Sequence, residues 1–191
     1  MRGIALSLTA LVLSACSTAL PTATPGVEQV GSRVLRYTGP ELDAALSYRA
    51  AAGSLGDEWL ILDLAVTGRT NAAVEIRRDK VWLRTPAGDT LALPSQETFG
   101  RAYTSLRAKV ARADIAADPL GYWAGRRDCA MAFLVEPGST ISRLSTWVND
   151  REVCTGRLFF AVPGGIQPGP YVLGIDLEES KVRIPFELPA D

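Results

Sequence analysis

Apolar and polar residues alternate along most of this chain, and the alternation predicts strands. Residues 33–39 (RVLRYTG) and 44–53 (AALSYRAAAG) are the first candidates. Residues 58–68 (EWLILDLAVTG) are apolar, with Asp63 as the one interior charge. A run that dense predicts a central strand covered on both faces. Segments 72–78 and 80–85 follow; Pro86 and Gly88 mark a turn, and 90–94 returns as the second arm of a hairpin.

The period changes between Ser95 and Ala117. Phe99, Ala102, Tyr103, Leu106, Val110 and Ala113 recur at spacings of three and four, which predicts one amphipathic helix over 95–117. Ser95 is placed to cap it, Gln96 and Glu97 fill its first turn, and Asp118-Pro119 ends it. Arg101, Ser105, Lys109 and Arg112 share its polar face, with Arg107 to one side. Such a face is either solvated or meets anionic lipid heads or an acidic partner. Strands resume at 128–136, 140–148, 156–163, 169–177 and 181–189. Within 140–148, Ile141, Leu144 and Trp147 also fall at helical spacing, so both readings stay open there. Short strands at close intervals with Gly/Pro turns predict an antiparallel sandwich or barrel carrying one inserted helix.

The first residues follow a different rule. Arg2 precedes the apolar stretch Ile4–Leu13, which stops at Leu13-Ser14-Ala15-Cys16. The stretch is too short to span a bilayer, which takes about 20 helical residues. A positive start, a short apolar core and small residues before a break describe a secretory signal. The "LSAC" break resembles the lipobox of bacterial lipoproteins. That resemblance implies a signal peptide at 1–15, cleavage before Cys16, and a lipid-modified Cys16 as the mature N-terminus. With Ser17 next, it also implies the periplasmic face of the outer membrane in a cell that has one. The other reading is an ordinary secretory signal with a chance cysteine. Residues 16–31 mix Ser, Thr, Ala, Pro and Gly without a period and predict a flexible tether. The folded domain is then 32–191.

Composition narrows the chemistry. Apolar residues make up 47 % of the chain, enough for one sizeable core. A net charge of −1 argues against a nucleic-acid partner. The chain has no histidine, which removes Ser-His-Asp and Cys-His nucleophiles and the commonest zinc sites. Met1 and Met131 are the only methionines, too few for a Met-rich copper site. "AGSLG" at 52–56 faintly echoes a nucleophile elbow but has no base to serve it and reads as a turn. No catalytic, cofactor or metal residue is therefore assigned. Asp57/Glu58 and Asp176 with Glu178/Glu179 are carboxylate groups that either hold calcium or do acid–base work, or are solvated turn charges.

Two cysteines remain after Cys16. In an exported chain Cys129 and Cys154 read as a disulfide, worth roughly 3.5 kcal/mol by loop closure. The alternative, a reactive thiol, lacks its usual histidine partner. In the loop 119–128 (PLGYWAGRRD), Tyr122, Trp123, Arg126 and Arg127 form a candidate contact surface, since aromatic and Arg residues on loops are enriched at interfaces. The alternative packs the rings over the helix end.

The stretch 58–93, with "CTGRLFFAVPGGI" at 154–166 and "KVRIPFEL" at 181–188, resembles the telokin-like, immunoglobulin-related domains of bacterial lipoproteins and secreted proteins. The likeness runs over roughly residues 55–190. It implies a mainly β, antiparallel immunoglobulin-like sandwich in the cell envelope. The expected protein is a lipid-anchored envelope accessory that binds an envelope protein and is not an enzyme. The alternative is a carboxylate-dependent envelope enzyme acting on glycans, which needs two carboxyls about 5–10 Å apart in a cleft.

Overall fold

Residues 24–190 are described by the computed structural model. The strands in chain order are β1 (Val27–Gly31), β2 (Val34–Thr38), β3 (Leu42–Ser47), β4 (Trp59–Gly68), β5 (Val74–Arg77), β6 (Val81–Arg84), β7 (Thr90–Ala92), β8 (Arg127–Ala130), β9 (Ser145–Val148), β10 (Glu152–Ala161), β11 (Gly169–Asp176) and β12 (Lys181–Leu188). A short helix α1 (Arg49–Ala52) follows β3, and the long helix α2 (Gln96–Ala116) follows β7. Sheet I has the order β1-β2-β3-β4-β10-β8, sheet II the order β12-β11-β6-β7, and β5 pairs with β9.

The order β3-β4-β10 against β12-β11-β6-β7 is the A-B-E and G-F-C-C′ arrangement of an immunoglobulin sandwich. Tyr171 marks the same topology. It opens β11; its hydroxyl donates to the Gln167 carbonyl at 2.9 Å and accepts from the Gln167 N–H at 3.1 Å. This is the tyrosine corner at the E–F connection. The chain is a mainly β, immunoglobulin-like sandwich with one long inserted helix.

β4 explains its own dense pattern. Leu60, Leu62, Leu64 and Val66 face sheet II in the main core, against Leu83, Leu173, Ile175 and Ile184. Ile61 faces the other way and packs under α2 with Phe99, Leu106, Ala113 and Phe159. Further along the same face, Ala45, Ala65 and Val153 are covered by Leu120 and Trp123 of the loop after α2. Sheet I is thus covered on both faces at β3, β4 and β10. Ser95 caps α2 as its type dictates, its Oγ accepting from the Thr98 N–H at 3.0 Å.

Several expectations are corrected. The span 16–31 expected as tether ends in β1, whose Val27–Gly31 pairs with β2; a five-residue edge strand with Glu28, Gln29 and Val30 all exposed carries too weak a period to announce itself. The candidate strand 44–53 begins at Leu42 and stops at Ser47, and Ala50, Ala51 and Ala52 turn into α1, in line with the helical preference of alanine. Segment 128–136 supplies only β8, because Met131 and Phe133 leave the ladder to enter the core. β8 also runs parallel to β10, the one exception to the antiparallel pairing among the described residues. Segment 140–148 is neither a full strand nor a helix: only Ser145–Val148 pairs, and Ile141 and Leu144 are exposed. The signal at 1–15 and Cys16 lie outside the described residues.

Candidate functional site

Sheet II leaves its outer face bare among the described residues. Trp82 of β6, Gly174 of β11 and Arg183 of β12 form one row across it. Trp82 lies over Gly174, where any Cβ would enter the indole. The Arg183 guanidinium sits 4.5 Å from the ring centroid and that of Arg84 5.5 Å away. Asp176 fixes the arrangement. Its Oδ2 accepts from Trp82 Nε1 at 3.0 Å and its Oδ1 from Arg183 Nη2 at 2.5 Å. Partial burial pushes this carboxyl upward, but the bonds from Arg183 and Trp82 outweigh it and hold Asp176 below the ordinary carboxylate range.

A groove of about 710 Å³ opens at one end of the sandwich. Pro40 and Glu41 of the β2–β3 turn, Val74 and Glu75 of β5, Trp147 of β9 and the β11–β12 turn line it. Trp147 stands 57 % exposed because β9 turns Thr146 and Val148 inward. Glu178 and Glu179 are exposed on the turn, and Glu41 Oε2 accepts from the hydroxyl of Ser180.

The four residues of loop 119–128 lie in different surroundings. Tyr122 is exposed and meets Trp123 edge-on at 6.2 Å. Trp123 packs on sheet I. Arg126 is spent on the end of β4, donating to Thr67 Oγ1 and the Gly68 carbonyl. Arg127 pairs with Glu152 at 2.8 Å.

The basic face of α2 is also partnered. Asp57, before β4, takes Lys109 at 2.9 Å and Arg112 at 3.9 Å, and Arg101 pairs with Glu97 at 3.7 Å. Asp57 is thereby a helix anchor. No group of three or more metal-ligating side chains occurs among the described residues, and no helix among them is long and apolar enough to cross a membrane.

Cys129 and Cys154 are register partners in the β8–β10 ladder, their Cα atoms 4.3 Å apart and their sulfurs within bonding distance. Sequence reasoning missed Trp82, Arg84 and Arg183. Their signal is phase: in VWLR and KVRIPFEL they occupy the outward positions of strands whose other phase is the core. No family model, curated protein or solved structure matches this chain.

Proposed function

We propose that the protein is a lipid-anchored cell-envelope accessory, a lipoprotein of the telokin-like type, that works as a binding module. The outer face of sheet II around Trp82 docks an envelope protein. The anchor rests on the Leu13-Ser14-Ala15-Cys16 pattern, and export accords with two cysteines at disulfide distance. The observation that carries the binding role is Trp82 seated on Gly174, bonded to Asp176 and flanked by the Arg84 and Arg183 guanidiniums, on a face no other element covers among the described residues. Trp and Arg in fixed rotamers are the residue types that dominate interface energies, and prior ordering lowers the entropy cost of binding. A photo-crosslinking residue at exposed Arg84, activated in intact envelopes, should capture a defined protein. Capture should fail when Trp82→Ala is added. Equal capture with and without Trp82 would sink the reading.

The groove favours a second reading, a carboxylate-dependent enzyme acting on envelope glycans. Glu41, Glu75 and Glu179 line it beside an exposed Trp147. A glycosidase needs one carboxyl kept protonated by an apolar setting. Glu178 and Glu179 stand in water instead, and Asp176 is held ionised. Release of reducing ends from peptidoglycan, abolished by Glu75→Gln, would favour this enzyme over the binding module.

A further inference from the structure

We infer that the groove end of the sandwich rests against a zwitterionic lipid surface, with Trp147 and Leu144 seated in its headgroup layer. The inference rests on the lipid anchor at Cys16 proposed above.

The tether is short and rooted at the groove end. The chain enters the sandwich at this end: the Thr38 N–H donates to the Gly26 carbonyl at 2.7 Å, beside the β2–β3 turn that lines the groove. From Cys16 to Thr24 the backbone extends at most about 28 Å. From Trp59 to Gly68, β4 alone spans about 30 Å of the sandwich height at the usual strand rise. A tether rooted at the groove end cannot run the length of the domain and still place its acyl chains in a bilayer beyond the opposite end. The groove end therefore stays near the lipid.

That end presents exposed apolar side chains. Trp147 is 57 % exposed and Leu144 71 % exposed. Both are fixed there by backbone: Trp147 pairs with Glu75 in the β5–β9 ladder, and the Leu144 carbonyl accepts from the Arg78 N–H at 2.8 Å, just before β6. Exposed Ile141 follows on the same segment. Trp on a rim with branched aliphatic neighbours is the composition that enters the membrane interface.

The same end is acidic. Along the groove, with Asp176 taken up by Arg183, the carboxylates Glu41, Glu75, Glu178 and Glu179 outnumber the cations Arg77 and Lys80. An anionic rim is repelled by anionic lipid and tolerated by phosphatidylethanolamine, whose ammonium it meets favourably.

The test uses the full acylated protein and phosphatidylethanolamine/phosphatidylcholine vesicles carrying brominated acyl chains. Flotation comes first. The wild type should float and Cys16→Ser should not; a protein that fails to float, or floats regardless of Cys16, overturns the anchor and this inference with it. With the floating protein, brominated lipid should quench tryptophan emission, and Trp147→Phe should lose the greater part of that quenching. Leu144→Asp should reduce it while leaving the circular dichroism unchanged. Added anionic lipid should weaken it. A floating protein whose quenching is absent, or is the same in Trp147→Phe, overturns the inference while the anchor stands.

Discussion

Arg157 of β10 and Asp63 of β4 are register partners on the covered face of sheet I, joined Nε to Oδ1 at 2.9 Å. The same guanidinium reaches Asp114 of α2 through Nη1 at 2.7 Å. One side chain thus ties the helix to the two central strands. Asp63 and Arg157 are each less than a fifth exposed. Burial pushes the Asp63 carboxyl above its ordinary value, and Arg157 pulls against that rise without reversing it.

Arg157→Ala removes the counterweight and leaves Asp63 buried without a partner. Breaking such a pair costs about 3 kcal/mol. The folded Asp63 then binds its proton still more tightly than the unfolded chain does. Its contribution is lost as pH rises from about 4 towards the raised value, so the variant suffers least in acid. Denaturant unfolding at neutral and acid pH checks both points. Arg157→Met with Asp63→Leu should recover most of the loss, because neither charge is then stranded. A double variant as unstable as Arg157→Ala would mean that the pair stabilises through its charges.

Cys129 and Cys154 close a loop with a sequence separation of 25. That loop carries β9, Trp147 and the exposed Ile141 and Leu144. Cys129→Ser or Cys154→Ser should lower stability by about 2–4 kcal/mol. The fold should survive, since β4 pairs with β3 and β10 independently of the bridge. Thiol titration of denatured, unreduced protein exported from its cell should find neither thiol free. Two free thiols would reject the bridge and reopen a reactive-cysteine role.

How much of this was legible follows from periodicity. α2 was read almost to its ends because Ser95 and the Phe99–Ala113 stripe answer to one local rule. β4 was read as doubly covered because composition alone reports burial on both faces. β1 and the true length of β8 were not legible: pairing at an edge, and a parallel pairing between strands 25 residues apart, depend on partners that no local window contains. The loop residues Tyr122–Arg127 were singled out for their type. Type does not say that Arg126 would be taken up by Thr67, or Trp123 by Ala65. Asp57 was seen as a charge; its partner Lys109 lies beyond β4, β5, β6 and β7 in the sequence.

Asp118 ends α2 in the sequence and holds its exit in the structure. Arg49 donates to it from Nε at 2.9 Å, and Ser47 Oγ donates at 2.6 Å. The bond from Arg49 is the chief reason its carboxyl lies below the ordinary range; partial burial opposes, and Ser47 adds to the lowering. The unfolded chain therefore takes up this proton first as pH falls. Stability from Asp118 is complete above about pH 4 and drains away as pH drops through its depressed value. Asp118→Asn should lower the melting temperature at neutral pH and flatten its decline below about pH 4. Melting curves across that range decide it: parallel declines would mean that Asp118 titrates alike in both states.

Gly174 is the seat of Trp82, and Gly174→Ala tests the docking face without touching a charge. The new methyl enters the space of the indole, so the ring must lift. Lifting breaks the bond from Trp82 Nε1 to Asp176 and the stacking of Arg183. Leu173 and Ile175 on the other phase of β11 keep their places in the core. The cost in stability should be about 1–3 kcal/mol, the usual range for overpacking, which a folded domain of this size survives. Near-UV circular dichroism should lose the signal of an ordered tryptophan, and crosslinking from position 84 should lose its captured protein as it does in Trp82→Ala. A Gly174→Ala protein with an altered near-UV spectrum and unchanged capture would show that the partner does not read the ordered ring, and would move the binding surface off this face.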